Sequence, residues 1–361
     1  MVQGLRCGVQ DAGCVGSRFE VEHKTSDQEA GMTFSLVVPV YNRPQEVKEL
    51  LQSMVEQTDK DFEVVIVEDG SDAKCDLICK NYRDKLDINY FYKENSGPGQ
   101  SRNYGCQQAK GNYYIFLDSD CILPPNYVEI VKKEMKNNPV DAFGGPDRAH
   151  PDFTLLQKAI NYSMTSLFTT GGIRGKSEKF DKFYPRSFNM GYSDLVFQTT
   201  QGFSKMRFGE DIDMSIRILK NGFQTKLFKE AFVYHKRRST FNQFFKQVFN
   251  SGIARIHLYK KHPDSLKFVH WLPAFFIAGM MALILLSIVA SPCFLLFIVL
   301  HGLLLWVDST LRNKNSIVGF LSIITSYIQL SGYGLGFMIA YWNLILLKKE
   351  EFSAFKETFY K

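Results

Sequence analysis

Two carboxylates one residue apart, Asp118 and Asp120, close an apolar run in the stretch NYYIFLDSDCILP. Like charges at the mouth of a core strand need a partner. Paired carboxylates can share a divalent cation and the hydroxyls of its ligand, and Mg2+ and Mn2+ prefer such oxygen donors. The same residue types also make turns and caps. A second acidic group, Glu210, Asp211 and Asp213, stands in FGEDIDMSIRILKNGF. Acids in a first helical turn stabilise the helix dipole by about 0.3–1 kcal/mol each. Three beside a glycine exceed what capping requires, and one could take a proton from a hydroxyl nucleophile.

Cations complete the set. His235 ends the apparent strand FVYH and is followed by Lys236, Arg237 and Arg238, side chains suited to a diphosphate. NSGPGQSRN is a glycine-rich turn opening a helix, which favours anions through backbone N–H groups, with Arg102 near that helix start. It matches neither the phosphate-loop nor the dinucleotide pattern. In EDGS, Asp69 could accept a hydrogen bond from a base or ribose, or cap a helix beginning near Asp72.

The segments that position these residues alternate. FSLVVPV, FEVVIV, INYFYK and YYIFL are short apolar strands, each followed by a helix of about ten residues. The helices run over PQEVKELLQSMVEQ, Asp72 to Tyr82, QSRNYGCQQAKG ending at Gly111, and PPNYVEIVKKEMKN. Such alternation implies an α/β fold with a mostly parallel sheet. Ligands of such sheets bind outside the carboxyl ends of the strands, and PVYNRP, EDGS, NSGPGQSRN and DSD all fall there.

Taken together, PVYNRP, VEDGS, SGPGQSRNYGCQQAKGNYYIFLDSD, FNMGYSDLVFQ, GEDIDMSIRI and VYHKRRS resemble, in order, a family-2 glycosyltransferase of the GT-A fold, Rossmann-like with flanking helices. The resemblance covers roughly residues 33–239 and is similar to membrane-anchored bacterial members. It implies a nucleotide-sugar site made by Pro39, Val40, Tyr41, Arg43, Asp69, Arg102, Asp118, Ser119 and Arg238. It implies Mg2+ or Mn2+ at Asp120, with Asp118 and His235 beside it. Asp211 would be the general base and Glu210 would help position the acceptor, in a single inverting displacement. The sequence departs from the family in QGFSKMRFGED, which lacks the usual two glycines and an acid, so acceptor contacts differ there. The processive signature Gln-x-x-Arg-Trp is absent, and one sugar is expected per encounter.

The chain carries 43 Lys and Arg against 37 Asp and Glu, with the excess localised. Residues 236–270 hold eight Lys or Arg and one acid, Asp264. Residues 271–307 and 315–347 then hold no Asp, Glu, Lys or Arg. As helices each run would reach about 50 Å, beyond a bilayer core of about 30 Å, so each is expected to tilt or break. Ser291-Pro292 is the natural break in the first. SGYGLG in the second is either a break or a close packing surface, giving three or four crossings. The basic stretch fits the positive-inside pattern and places the soluble part in the cytoplasm, against the cytoplasmic membrane. FNQFFKQVFNSGIARIHLYKK would lie on the bilayer or pack as an interface helix.

Expected organisation is therefore a disordered extension (1–31), a GT-A domain (32–240), a basic interfacial segment (241–270), transmembrane helices (271–347) and a polar tail (348–361). Met32 could serve as a start, and activity is expected without residues 1–31. Seven scattered cysteines read as free thiols in a reducing compartment. Expected partners are a nucleotide sugar, a glycan or lipid-linked acceptor and membrane lipid, with no nucleic acid. Two other readings are a processive polysaccharide synthase and a catalytically silent membrane scaffold; the latter would typically lose Asp118, Asp120 or Asp211. A transporter is disfavoured because the apolar runs hold one ionisable residue, His301.

Overall fold

A computed structural model describes residues 31–170, 183–206 and 208–349. The expectations for residues 1–30 and for most of the polar tail lie outside these residues. Strands β1 (Phe34–Val40), β2 (Glu63–Asp69), β3 (Asp87–Lys93) and β4 (Tyr113–Leu117) alternate with helices α1 (Pro44–Val55), α2 (Asp76–Tyr82) and α3 (Pro98–Gln108). Then come β5 (Cys121–Ile122), α4 (Tyr127–Asn137), β6 (Ala142–Gly144), β7 (Asp147–Arg148), α5 (Leu155–Thr165) and α6 (Leu167–Thr170). The α/β part ends with β8 (Asn189–Ser193), α7 (Asp194–Thr200), α8 (Glu210–Lys220), β9 (Thr225–Leu227) and β10 (Val233–His235).

One sheet runs in the order β3-β2-β1-β4-β8-β6-β9. The first four strands are mutually parallel, and β8 pairs antiparallel with β4 and β6. The β-branched runs of β1 and β2 are buried on both faces, as a helix-covered parallel sheet requires. On α1 the 3.6-residue period buries Val47, Leu50, Leu51 and Met54 against the sheet. Each such side chain contributes roughly 1.5–3 kcal/mol relative to exposure.

Two boundaries differ from expectation. Helix α2 begins at Asp76, not Asp72, because Asn42 Oδ1 accepts from the Asp72 and Ala73 amides and holds them in a loop. Helix α3 ends at Gln108, because Lys110 and Gly111 donate their amides to the buried Glu63 carboxylate instead.

Beyond the sheet, α9 (Phe241–Lys261) leads to α10 (Leu272–Val289), α11 (Leu295–Asn313) and α12 (Ser316–Tyr341). Three helical spans, Leu272–Val289, Pro292–Asn313 and Ser316–Leu346, are long and apolar enough to cross a membrane. Ser291-Pro292 separates the first two. SGYGLG does not break α12; its glycines let neighbours approach. A Cβ at Gly336 would collide with the Phe249 carbonyl, and one at Gly252 of α9 with the Tyr333 carbonyl. Helix α9 therefore packs as an interface helix, its apolar face buried against α12 and α5. Thr325 of α12 also donates to the Ala159 carbonyl of α5, fastening the apolar helices to the α/β part.

Candidate active site

The site forms at the carboxyl ends of the parallel strands. Asn42, in the left-handed region at φ 53°, donates its amide to Ser71 Oγ and so ties the loop after β1 to that after β2. Buried Glu68 accepts from Ser71 Oγ, Cys75 N and Tyr90 Oη, fixing the EDGS turn from below. Asp69 neither caps α2 nor faces open space. Its carboxylate accepts from Lys93, Ser96 N (2.9 Å) and Gly97 N (2.8 Å), so it shapes the glycine-rich turn.

That turn walls a cleft of 230 Å³, lined by residues 95–100 and by Ser204, Lys205 and Met206. A Cβ at Gly99 would stand 3.2 Å from Glu210 Cγ, so this glycine lets the turn lie against the acidic helix start. Val40 is buried beneath the loop and Tyr41 is exposed on it.

Asp118 and Asp120 emerge from β4, and β10 brings His235 to them. The antiparallel register pairs His235 with Cys121, and the Lys236 amide donates to the Asp120 carbonyl. His235 Nε2 stands 3.1 Å from Asp120 Oδ1 and 3.8 Å from Asp118 Oδ2. Arg43, immediately before α1, donates to Asp120 Oδ2 at 2.8 Å. Burial alone would raise the Asp120 pKa, but His235, Arg43 and Arg238 hold it below the usual carboxylate range. Burial would lower His235, yet Asp120 and Asp118 raise it. The Asp120 carboxylate and the His235 imidazole, with Asp118 3.8 Å from that imidazole, offer donors of the kind that Mg2+ or Mn2+ takes. Cys121 is near enough to join them. Burial, then Asp118 and Asp120, push its thiol up, and it donates to the Phe188 carbonyl, so it stays protonated and is a poor ligand for these hard cations.

Arg102 connects this group to the second acidic cluster. Only 3% exposed, it donates to Asp118 at 2.7 Å and to Glu210 at 3.2 Å. Glu210 and Asp211 open α8 after Gly209, which adopts φ 80°. Burial and the adjacent Asp211 charge push Glu210 up to about 7, against the opposing effect of Arg102. Asp211 is also buried, but Arg186 Nε at 2.6 Å and its own Ile212 amide hold its carboxyl below the ordinary value.

The structure thus brings together Arg43, Arg102, Asp118, Asp120, Glu210, Asp211, His235 and Arg238, with Ser119 buried between the two strand-end acids. Pro39 is a residue of β1 itself, and Asp69 acts through the turn it holds. Sequence reading missed Arg186, which has no periodic neighbour to flag it. It also missed the Asp147 and Asn161 partners of Arg237, 2.5 and 2.9 Å from its guanidinium. Among the described cysteines, Cys75, Cys79, Cys106 and Cys121 are buried and free, and Cys293 is exposed and free.

Residues 35–200 match the family Glycosyl transferase family 2. An uncharacterized glycosyltransferase of Rickettsia typhi is 42% identical over 95 residues, covering 26% of this chain and 29% of that protein. The poly(ribitol-phosphate) beta-N-acetylglucosaminyltransferase TarS of Staphylococcus aureus is 36% identical over 135 residues, covering 36% of this chain and 22% of that protein. The chain thus spans less than a third of the length of either relative. In three dimensions it is similar to a mannosyltransferase of Pyrobaculum calidifontis solved with GDP-Man and Mn2+. There the TM-score is 0.60 at 15% identity, over 83% of this chain and 87% of that one. The chain carries a glycosyl transferase family 2 domain in the GT-A fold, followed by three helices apolar enough to span a membrane.

Proposed function

We propose that the protein is an inverting glycosyltransferase that moves one sugar from a nucleoside-diphosphate donor, first of all a UDP-sugar, to a hydroxyl of a lipid-linked or cell-surface glycan. The supporting observation is the unbroken chain of contacts from Arg43 through Asp120, His235, Asp118 and Arg102 to Glu210, with Asp211 adjoining. It links a diphosphate-and-cation end to a proton-accepting end. The name of the TarS relative makes UDP-N-acetylglucosamine the first donor to test.

Asp118, Asp120 and His235 would hold a divalent cation, which when bound offsets the charge of the diphosphate. The chain's own residues do the rest. Arg43 and Arg238, both near Asp120, would stabilise the departing diphosphate. Glycine amides of the turn held by Asp69 offer donors to the nucleotide. Asp211, kept ionised, takes the proton of the acceptor hydroxyl as that oxygen attacks the anomeric carbon and the diphosphate leaves from the opposite face. One observation favours a second assignment of the base: Glu210, poised at about 7, better matches neutral pH.

The excess of Lys and Arg before the first apolar helix supports a cytoplasmic catalytic domain on the cytoplasmic membrane. The test is release of UDP from UDP-N-acetylglucosamine by the detergent-solubilised full chain, with and without Mn2+, alongside a panel of other nucleotide sugars. Turnover of none of them, under any metal, would overturn the reading.

A further inference from the structure

Length and composition allow α10, α11 and α12 each to cross a bilayer, but their surroundings divide them. Helix α12 is laid against the catalytic part for most of its length. Thr325 donates to the Ala159 carbonyl of α5 at 3.0 Å, and Gly332 and Gly336 bring α12 against Val248 and the Phe249 backbone. Farther along, Phe337, Ala340 and Leu344 share a buried cluster with Phe249, Ile253 and Ile256 of α9. From residue 325 to residue 344 that is about 28 Å of helix. Helix α9 is itself tied to the α/β part at both ends, by Arg237 on Asp147 just before it and by His262 on Asp213 just after it. It also carries Lys246, Arg255, Lys260 and Lys261. A bilayer crossing by α12 would draw this basic helix, and the domain that holds it, into hydrocarbon. The aromatic residues agree. Tyr327 and Tyr333 stand in the middle of α12, where a spanning helix meets the bilayer centre, whereas such side chains favour the membrane–water boundary.

The hairpin of α10 and α11 differs. None of residues 281–300 is buried, so its tip projects from the protein. Its base rests on α12: Trp271 packs edge-on against Phe337 (4.9 Å) and Tyr341 (5.1 Å), and Trp306 Nε1 donates to the Ser316 carbonyl at 3.3 Å. Between these two tryptophans the chain has no other Trp, no Tyr, and no Asp, Glu, Lys or Arg. The shorter arm, Phe294 to Trp306, measures about 18 Å, against a hydrocarbon core of about 30 Å. With the tryptophans at the boundary, the tip stops inside the bilayer, where backbone polar groups need internal partners. The turn supplies them for its amides. Those of Ala290 and Ser291 donate to the Leu286 carbonyl, that of Phe294 to the Ser291 carbonyl and that of Cys293 to Ser291 Oγ, while Pro292 has none to satisfy.

We propose that the apolar region anchors the protein in one leaflet without crossing the bilayer. The α10–α11 hairpin inserts among the acyl chains of that leaflet, and α12 lies along its surface. Lys348 and Lys349, which follow α12, then stay on the side of the catalytic domain with the cations of residues 236–270, as the preference of positive charge for one face requires. Three crossings would put them on the opposite face. The attachment is independent of the glycosyl-transfer reading.

The test is labelling of the full chain by a membrane-impermeant maleimide in sealed vesicles of each orientation, read residue by residue by peptide mass spectrometry. Cys293, free and exposed at the hairpin tip, is a native probe. Lys60→Cys and Lys349→Cys, both at exposed positions, report the side of the catalytic domain and the side of the end of α12. Cys293 should label from neither face, and about tenfold or more faster once SDS dissolves the membrane. Lys349→Cys should label only in the vesicle orientation that labels Lys60→Cys. Labelling of Lys349→Cys from the opposite face overturns the proposal. Labelling of Cys293 from either face at the rate of Lys60→Cys overturns it too, because the tip would then stand in water.

Discussion

Asp213 of α8 and His262, just past the end of α9, both buried, meet at 2.8 Å. The Asp213 carboxylate also binds Lys261 (2.8 Å), Ser204 (2.7 Å) and Arg217 (2.9 Å). Arg217 in turn donates to the carbonyls of Thr200 and Gly202, which carry the loop closing the cleft. One carboxylate therefore fixes the acidic helix relative to both the membrane-side helix and the cleft wall.

Burial opposes its ionisation, but Lys261, His262, Ser204 and Arg217 hold Asp213 down at about 2. A carboxyl depressed on folding stabilises the protein above its unfolded value, and that contribution is lost as pH falls through the folded value. Asp213→Asn should therefore cost about 2–3 kcal/mol near neutrality. In thermal melts, the gap between wild type and variant should stay constant above pH 4 and narrow as pH drops toward 2.

Glu210 gives the opposite slope. Its carboxyl is raised from 4.5 to about 7, so its contribution is full below 4.5 and fades as pH rises through 7. Relative to Glu210→Gln, the wild type should lose melting temperature between pH 5 and 8. In kinetics, Asp211→Asn should reduce transfer by about a hundredfold or more. If Glu210 is the base, the wild type shows an activity limb near pH 7 and Glu210→Gln loses most transfer; if Asp211 is, Glu210→Gln keeps transfer and stays active well below pH 7.

Asp120 is the test of the cation end. Mn2+ with UDP should raise the melting temperature of the wild type by several degrees, because a ligand bound only to the folded state stabilises it. Asp120→Asn should abolish that rise and cut UDP release about a hundredfold, and it should also lower the ligand-free melting temperature near neutrality, because the charge that His235 and Arg43 stabilise is lost.

The helix crossing can be probed with one methyl group. Gly336→Ala would drive a Cβ into the Phe249 carbonyl and should cost about 1–3 kcal/mol. Gly279→Ala, where the new Cβ meets nothing within 4 Å, should leave the melting temperature unchanged or slightly higher.

Much of this arrangement is legible in the chain because it is local. The strands announce themselves as β-branched runs, and α1 by the spacing of Val47, Leu50, Leu51 and Met54. Parallel topology then forces the loops after β1, β2, β3 and β4 to one edge, which is why Asp118 and Asp120 could be read as a site. Contacts decided by long-range packing could not be read so. Nothing near Arg186 signals that it reaches Asp211, and His262 looks like a linker residue until α9 carries it to Asp213. Asp69 reads as a possible cap for a helix near Asp72, yet Asn42, thirty residues away from Asp72, claims that residue's amide and Asp69 holds the Gly97 turn instead. SGYGLG reads equally as a hinge or a packing face, and only the partner backbone of α9 decides between them.

The seam between α9 and α12 has a practical meaning. Backbones that touch through glycine, together with the salt link from Lys261 to Asp213, make the apolar bundle part of the scaffold that aims the acids. Trimming the chain before Leu272 to obtain a water-soluble fragment would strip the greasy flank of α9 of its cover and loosen the helix that bears Glu210 and Asp211. The hydrophobic tail is better regarded as a chassis than as a leash.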